Sequence, residues 1–244
     1  MTLPDAYQSQ VQHIQPSPKF QPLDGQIQAT PFPGYTVINP PWAEDDKNTA
    51  FYQDLEHYQQ QVVAQLDPGV FFPVPPSSFH MTIADLIWDS AYRHASESPT
   101  FEAELQQRVA QSLQKCSSNS KPIYWQVIGL FLRTRAIGVC LAPREEDSYD
   151  RIAQVRQAIY QNSDLIALGI EQQYNYTAHV TLGYFGEAAA ATDRQRLSET
   201  LIALNQQAIE VDTPQEILVH RAELRKFDDM TRYYREPDWA AIDL

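Results

Sequence analysis

The chain has 244 residues, with 18 Lys+Arg against 31 Asp+Glu and a formal net charge of −13. That excess of acid excludes a general binder of duplex nucleic acid or of an anionic membrane, while leaving room for a small local phosphate site. An apolar fraction of 43% and an aromatic fraction of 11% exclude disorder over most of the chain, and the length suits one large domain with a real core.

Residues 1–33 stand apart as a Pro/Gln-rich segment, and eight of the seventeen prolines fall within the first 41 residues. Missing backbone donors and few apolar anchors predict an extended or loosely ordered stretch, packed on the surface through Ile14, Phe20 and Leu23. From Gly34 strands and helices alternate. Tyr35-Thr36-Val37-Ile38 reads as a short strand stopped by Asn39-Pro40-Pro41. Asn48 or Thr49 caps a helix to about Leu66, with Phe51, Leu55, Tyr58, Val62 and Leu66 on one stripe. Phe79 to Trp88 reads as a strand, and Pro99 to Cys116 as a helix. Ile123 to Leu132 and Ala136 to Leu141 read as strands joined in a hairpin at Arg133-Thr134-Arg135. A helix around Tyr149 to Tyr160 precedes a strand from His179 to Phe185, a helix from Asp193 to Ala208 and a strand from Glu216 to Leu224. The mixture along the whole of residues 34–244 predicts one α+β domain.

Cys116 and Cys140 cannot make a disulfide scaffold and form no C-x-x-C pair, so both are read as buried or half-buried thiols in a reducing compartment. Residues 1–28 lack the apolar core of a signal peptide, and no stretch reaches the roughly 18 apolar residues of a membrane span. A cytoplasmic monomer without membrane contact is expected.

Two short segments match each other: Ser78-Phe79-His80-Met81-Thr82-Ile83 and Thr177-Ala178-His179-Val180-Thr181-Leu182. Both read hydroxyl, any residue, His, apolar, Thr, apolar. On a strand, residues two apart share a face, so each segment presents one imidazole and one hydroxyl while its apolar residues point to a core. His94-Ala95-Ser96 fits the bare His-x-Ser/Thr pattern but sits among polar residues with no strand signal. The histidines of the two matching strands lie 99 residues apart, which points to a duplication with one copy in each half.

Two H-x-[S/T] strands at this distance, in a chain of this size, resemble the 2H phosphoesterase superfamily, which includes cyclic nucleotide phosphodiesterases and 2′-5′ RNA ligase-like proteins. The F-H-M-T-x-x-D stretch and the long amino-terminal segment look more like a bacterial branch of unassigned substrate. The resemblance covers roughly residues 34–226. It implies a two-lobed, pseudo-symmetric fold with antiparallel sheets around a central cleft and helices outside. It also implies His80 and His179 as catalytic residues, Thr82 and Thr181 as phosphate-binding hydroxyls, and metal-independent hydrolysis of a 2′,3′-cyclic or related phosphodiester of a nucleotide or RNA end, or the reverse ligation. Imidazole suits both proton transfers because its ordinary pKa lies near neutrality. Which ring is base and which is acid stays open.

Other groups carry weaker signals. Residues 121–144 hold Lys121, Arg133, Arg135 and Arg144 and no acid, so Arg133 and Arg135 are candidates to meet a phosphate, with a solvated hairpin tip as the competing reading. Tyr184 follows the second motif and serves either a substrate or the core; its strand parity requires a bend near Gly183. Tyr35 is a candidate base-stacking ring competing with plain packing, and the Arg232-Tyr233-Tyr234-Arg235 tail is read as surface, with an active-site cover as the alternative. A metal site on His80, His179 and Asp85 is disfavoured, because Asp85 has the wrong parity relative to His80 and no H-x-H or H-x-x-x-H pair occurs. No cofactor is expected, and no nucleophile elbow, phosphate loop or dinucleotide glycine motif is present. Besides a phosphodiesterase, two readings remain: a non-catalytic nucleotide- or RNA-end-binding module on the same fold, and a scaffold in which the histidines are structural.

Overall fold

The computed structural model describes residues 3–23, 26–116, 121–209 and 215–244. In chain order the elements are α1 (Leu3–Gln10), β1 (Phe20–Leu23), β2 (Gln26–Ala29), β3 (Gly34–Ile38), α2 (Thr49–Gln65), β4 (Phe71–Pro73), β5 (Thr82–Trp88), α3 (Asp89–Ala95), α4 (Phe101–Leu113), β6 (Tyr124–Leu132), β7 (Ala136–Pro143), α5 (Glu146–Tyr160), α6 (Ser163–Ile166), β8 (His179–Phe185), α7 (Arg194–Ile209), β9 (Glu216–Leu218), β10 (Arg221–Phe227), β11 (Tyr233–Tyr234) and β12 (Ala241–Asp243). The fold is α+β, and all its strand pairs are antiparallel.

Two five-stranded sheets carry the structure. One runs β11-β10-β3-β5, with β12 also paired to β10; the other runs β4-β8-β7-β6-β9. The chain does not spend its first half on one sheet and its second half on the other. β4 leaves the first half to join the His179 sheet, and β10 leaves the second half to join the His80 sheet. The stretch read as one strand, Glu216 to Leu224, is therefore two, separated where the chain crosses between sheets at Val219-His220. Helices exchange in the same way. α2 packs on β4 and β8, whereas α5 packs on β5. The stripe Phe51, Leu55, Tyr58 and Val62 of α2 is buried as its period requires.

The amino-terminal segment departs from the extended conformation expected of it. Residues 3–10 form a helix that packs on α7, and β1 and β2 form a two-stranded sheet of their own. Tyr7, 2% exposed, donates its hydroxyl to the Leu130 carbonyl at 2.7 Å, an anchor the proline count conceals. Ile14 and Phe20 are buried as expected, but Leu23 is 46% exposed. Among the described residues no helix is long and apolar enough to cross a membrane.

Candidate active site

A cavity of about 560 Å³ lies between the two sheets and draws its walls from both. His80, Thr82, His179 and Thr181 all line it. The chain therefore brings the two matching motifs together, although they belong to different sheets.

Each motif is followed by the same irregularity. Opposite β5, Val37 pairs with Ala84 and Ile38 with Thr82, which leaves Ile83 as an extra residue. Opposite β8, Ile137 pairs with Gly183 and Gly138 with Thr181, which leaves Leu182 as the extra residue. Ile83 and Leu182 hold the same place, three residues after their histidines. A bulge shifts the alternation of faces by one, so residues three apart can share a face. Asp85 consequently lines the cleft together with Thr82, and Tyr184 together with Thr181. The parity argument that set Asp85 aside fails for this reason, and the bend that Tyr184 required is supplied. Gly138 is needed at the second bulge: a Cβ there would stand 2.3 Å from the Val180 carbonyl oxygen.

Both bulge carbonyls are satisfied by a helix side chain from the other half of the chain. Arg156 of α5 donates to the Ile83 oxygen at 2.6 Å, and Gln59 of α2 donates to the Leu182 oxygen at 2.7 Å. Arg156 is held in turn over the rings of Tyr176, at 4.3 Å, and Tyr160, at 5.1 Å.

The imidazoles are set alike. His80 Nδ1 lies 2.7 Å from the Ser78 carbonyl oxygen, and His179 Nδ1 lies 2.8 Å from the Thr177 carbonyl oxygen. A carbonyl can only accept, so Nδ1 carries the proton in both rings and Nε2 keeps its lone pair. Among the described residues neither Nε2 has a hydrogen-bond partner. Burial pushes both pKa values down from 6.5 to about 4. The carbonyl bonds oppose that fall. His179 and Arg225 add to it at His80, and Arg133 and Lys19 add to it at His179. The ligand-free rings are thus neutral at pH 7.

Arg133 and Arg135, at the β6–β7 turn, also line the cavity. The other two cations of the acid-free run are tied up outside it, Lys121 on Glu145 at 2.5 Å and Arg144 on Glu216 at 3.1 Å. Tyr35 is corrected: it is fully buried, donates to Glu102 Oε2 at 3.0 Å and packs against Tyr92 and Trp239. On β3 it is Thr36, of the opposite parity, that reaches the cleft.

Sequence reasoning missed several lining groups. Tyr233, in the tail read as surface with an active-site cover as the alternative, lies with its ring centroid 4.2 Å from that of His80. Lys19 and Phe32 enter from the amino-terminal segment, and Tyr174 from the loop before β8. Tyr174 donates to the Asp85 carboxyl, whose pKa burial raises against the pull of Lys19, Arg156 and Arg133. No local signal marks these residues, because each depends on where a loop or tail is laid down. Cys116 and Cys140 are half-buried free thiols with pKa values raised by burial. Among the described residues no three His, Cys, Asp or Glu side chains are grouped to hold a metal ion.

Comparison with known proteins bears on this arrangement. Residues 19–122 match the family model 2H-phosphodiest, described as a domain of unknown function (DUF1868). No curated protein matches the chain. Among solved structures, a conserved protein of unknown function from Agrobacterium tumefaciens, ATU0111, is 18% identical with a TM-score of 0.60, over 97% of this chain and 98% of that one. E. coli LigT complexed with 3′-AMP is 16% identical with a TM-score of 0.46, over 87% and 98% of the two chains. TT0787 of Thermus thermophilus is 15% identical with a TM-score of 0.43, over 86% and 94%. The family match spans the first histidine motif, and the fold brings the second into the same cleft.

Proposed function

We propose that the chain is a metal-independent phosphodiesterase that hydrolyses a 2′,3′-cyclic or related phosphodiester of a nucleotide or RNA end. One observation supports this above the others: two imidazoles in one cleft, each oriented through Nδ1 by the carbonyl two residues earlier, each with a free Nε2 and a threonine hydroxyl on the same wall.

In this reading one neutral Nε2 takes a proton from water as the water oxygen bonds to phosphorus. The opposite ring, as imidazolium, gives its Nε2 proton to the ribose oxygen as the P–O bond breaks. A phosphomonoester and a free hydroxyl result, and the two rings exchange protonation states. Thr82 and Thr181 donate to the non-bridging oxygens, where charge spreads in the transition state. The acid ring needs a proton that burial withholds from the empty site. The bound phosphate supplies the missing condition, because an anion beside a desolvated imidazole favours its charged form.

The test is turnover of a panel of 2′,3′-cyclic nucleotides and cyclic-phosphate RNA ends, with and without EDTA, beside His80→Ala and His179→Ala. Each substitution is expected to lower kcat by about 100- to 10,000-fold with the fold retained, and EDTA to change nothing. Activity abolished by EDTA and restored by a divalent cation would falsify the metal-free mechanism. Unchanged turnover in either variant removes that histidine from the chemistry.

A further inference from the structure

We propose that Lys19 and Arg133 form a second anion subsite in the cleft, which takes a second phosphate group on the substrate. The inference rests on the cleft's being a phosphodiester site for the first phosphate.

The amino-terminal segment is built into both halves of the cleft. The Gln15 N–H donates to the Thr134 carbonyl at 2.7 Å, in the β6–β7 turn, and the Ser17 N–H to the Phe185 carbonyl at 2.8 Å, on β8 of the His179 sheet. The Phe32 N–H donates to the Asp228 carbonyl at 2.8 Å, just past β10 of the His80 sheet. Between these anchors, Lys19 is fixed by its N–H on Ser17 Oγ at 3.3 Å and by the Thr30 N–H on its carbonyl at 2.9 Å.

The two side chains are held without being neutralised. The Lys19 ammonium lies 4.4 Å from the Phe32 ring centroid, 4.9 Å from that of Tyr184 and 3.4 Å from the Tyr184 hydroxyl. The Arg133 guanidinium lies 5.0 Å from the Phe131 centroid and 5.5 Å from that of Tyr174, and its Nε is buried with no partner. Aromatic faces orient a cation and leave its charge available. Among the described residues neither group has a carboxylate within salt-bridge distance, although the protein has 31 acids for 18 Lys and Arg. Elsewhere Lys226 pairs with Glu102 at 2.7 Å and Arg225 with Glu44 at 2.8 Å.

Charge then sets the ligand. A phosphodiester carries one negative charge, and in the proposed mechanism one imidazolium, one neutral imidazole and two hydroxyls already serve it. Lys19 and Arg133 add two positive charges, and the buried Asp85, occupied by Tyr174, offsets one at most. The surplus fits a second phosphate on the same molecule: the 5′-phosphate of a cyclic nucleotide, or the next linkage of an RNA end.

Calorimetry on a nucleoside 3′-monophosphate and the matching 3′,5′-bisphosphate tests this without requiring turnover. Wild type is expected to bind the bisphosphate at least ~10-fold more tightly, the worth of a charge-assisted contact. Lys19→Met and Arg133→Met should each bring that ratio toward one, and Lys19→Arg should restore part of it. Equal affinity for the two ligands in wild type overturns the subsite, as does a ratio that survives both Met variants. A dinucleotide ending in a 2′,3′-cyclic phosphate separates an RNA end from a free nucleotide as the source of the second phosphate. If cyclic phosphates are not turned over but the bisphosphate preference holds, the hydrolytic reading fails and the subsite stands. Turnover without the preference sinks the subsite alone.

Discussion

The His80 and His179 walls of the cleft are built to one plan and charged differently. Both have a histidine tied through Nδ1 to the carbonyl two residues back, a threonine two residues on, and a bulge at the next position capped by a helix from the other half. The difference lies in the cations. Near His80, Arg225 is 1% exposed and bound on both sides, by Glu44 and by Glu223. Near His179, among the described residues, the Arg133 guanidinium and the Lys19 ammonium have only aromatic rings and a hydroxyl. The comparison teaches that the shared plan fixes the imidazoles and threonines, whereas the unshared charges leave one wall with its cation paired and the other with two cations that, in the reading proposed above, meet an anion.

The largest expected effect breaks the comparison at its cations. Arg225→Met removes the donor to the Tyr233 carbonyl, 3.1 Å away, and the nearest cation on the buried Glu223, which keeps Arg221 at 2.9 Å. It should cost about 3 kcal/mol of stability, because the charge-assisted hydrogen bonds of a buried guanidinium to Glu223 and Glu44 are lost. Tm should fall by roughly 10 °C for a chain of this size. Arg133→Met removes a guanidinium whose Nε is already buried and unpaired, so stability should stay within ~0.5 kcal/mol of wild type while affinity for a phosphate ligand drops. Thermal melts of the two variants side by side decide it. Equal destabilisation would mean that Arg133 is structural after all.

A smaller effect tests the shared plan. Arg156→Met strips the Ile83 carbonyl of its side-chain donor; Gln59→Leu does the same to the Val74 carbonyl and leaves the Leu182 carbonyl with the Val74 N–H alone. Each should cost roughly 1–3 kcal/mol, the penalty of a buried carbonyl left unpaired. Faster amide exchange should follow in β5 for the first variant and in β8 for the second. If exchange changes in neither strand, the bulges are held by backbone pairing alone, and the matching helix contacts are coincidental.

The matched motifs made His80, Thr82, His179 and Thr181 legible, because they are local and repeated. The periodic apolar stripes made most helices and strands legible for the same reason. What escaped was set by long-range placement. The bulges leave no mark in the alternation of Thr82 to Trp88, yet they decide that Asp85 reaches the cleft. The exchange of β4 and β10 between sheets cannot be read from element order, and it is why Glu216 to Leu224 looked like one strand. Tyr35 and Thr36 are equally apt for a strand, and only the sheet's orientation sends Thr36 inward. Lys19 and Tyr233 sit in segments whose composition suggests surface, and tertiary hydrogen bonds bring them to the cleft.

The smallest expected effect distinguishes the two histidines from each other. In the ligand-free protein both imidazoles should titrate near pH 4 by NMR, well below the ordinary 6.5, because burial disfavours the charged ring. With the folded pKa depressed, the unfolded chain binds protons first. The stability linked to these rings is therefore complete above about pH 6.5 and is lost as pH falls through 4. Lys19 and Arg133 contribute to the depression at His179, whereas His80 is depressed by His179 and Arg225. Lys19→Met should therefore raise the His179 pKa by a fraction of a unit and leave that of His80 in place, and a bound phosphate should raise both. A His179 resonance that does not move in Lys19→Met would place the lysine's charge too far from the ring to matter. Equal shifts at both rings would mean that the two walls do not differ electrostatically in the way their ion pairs suggest.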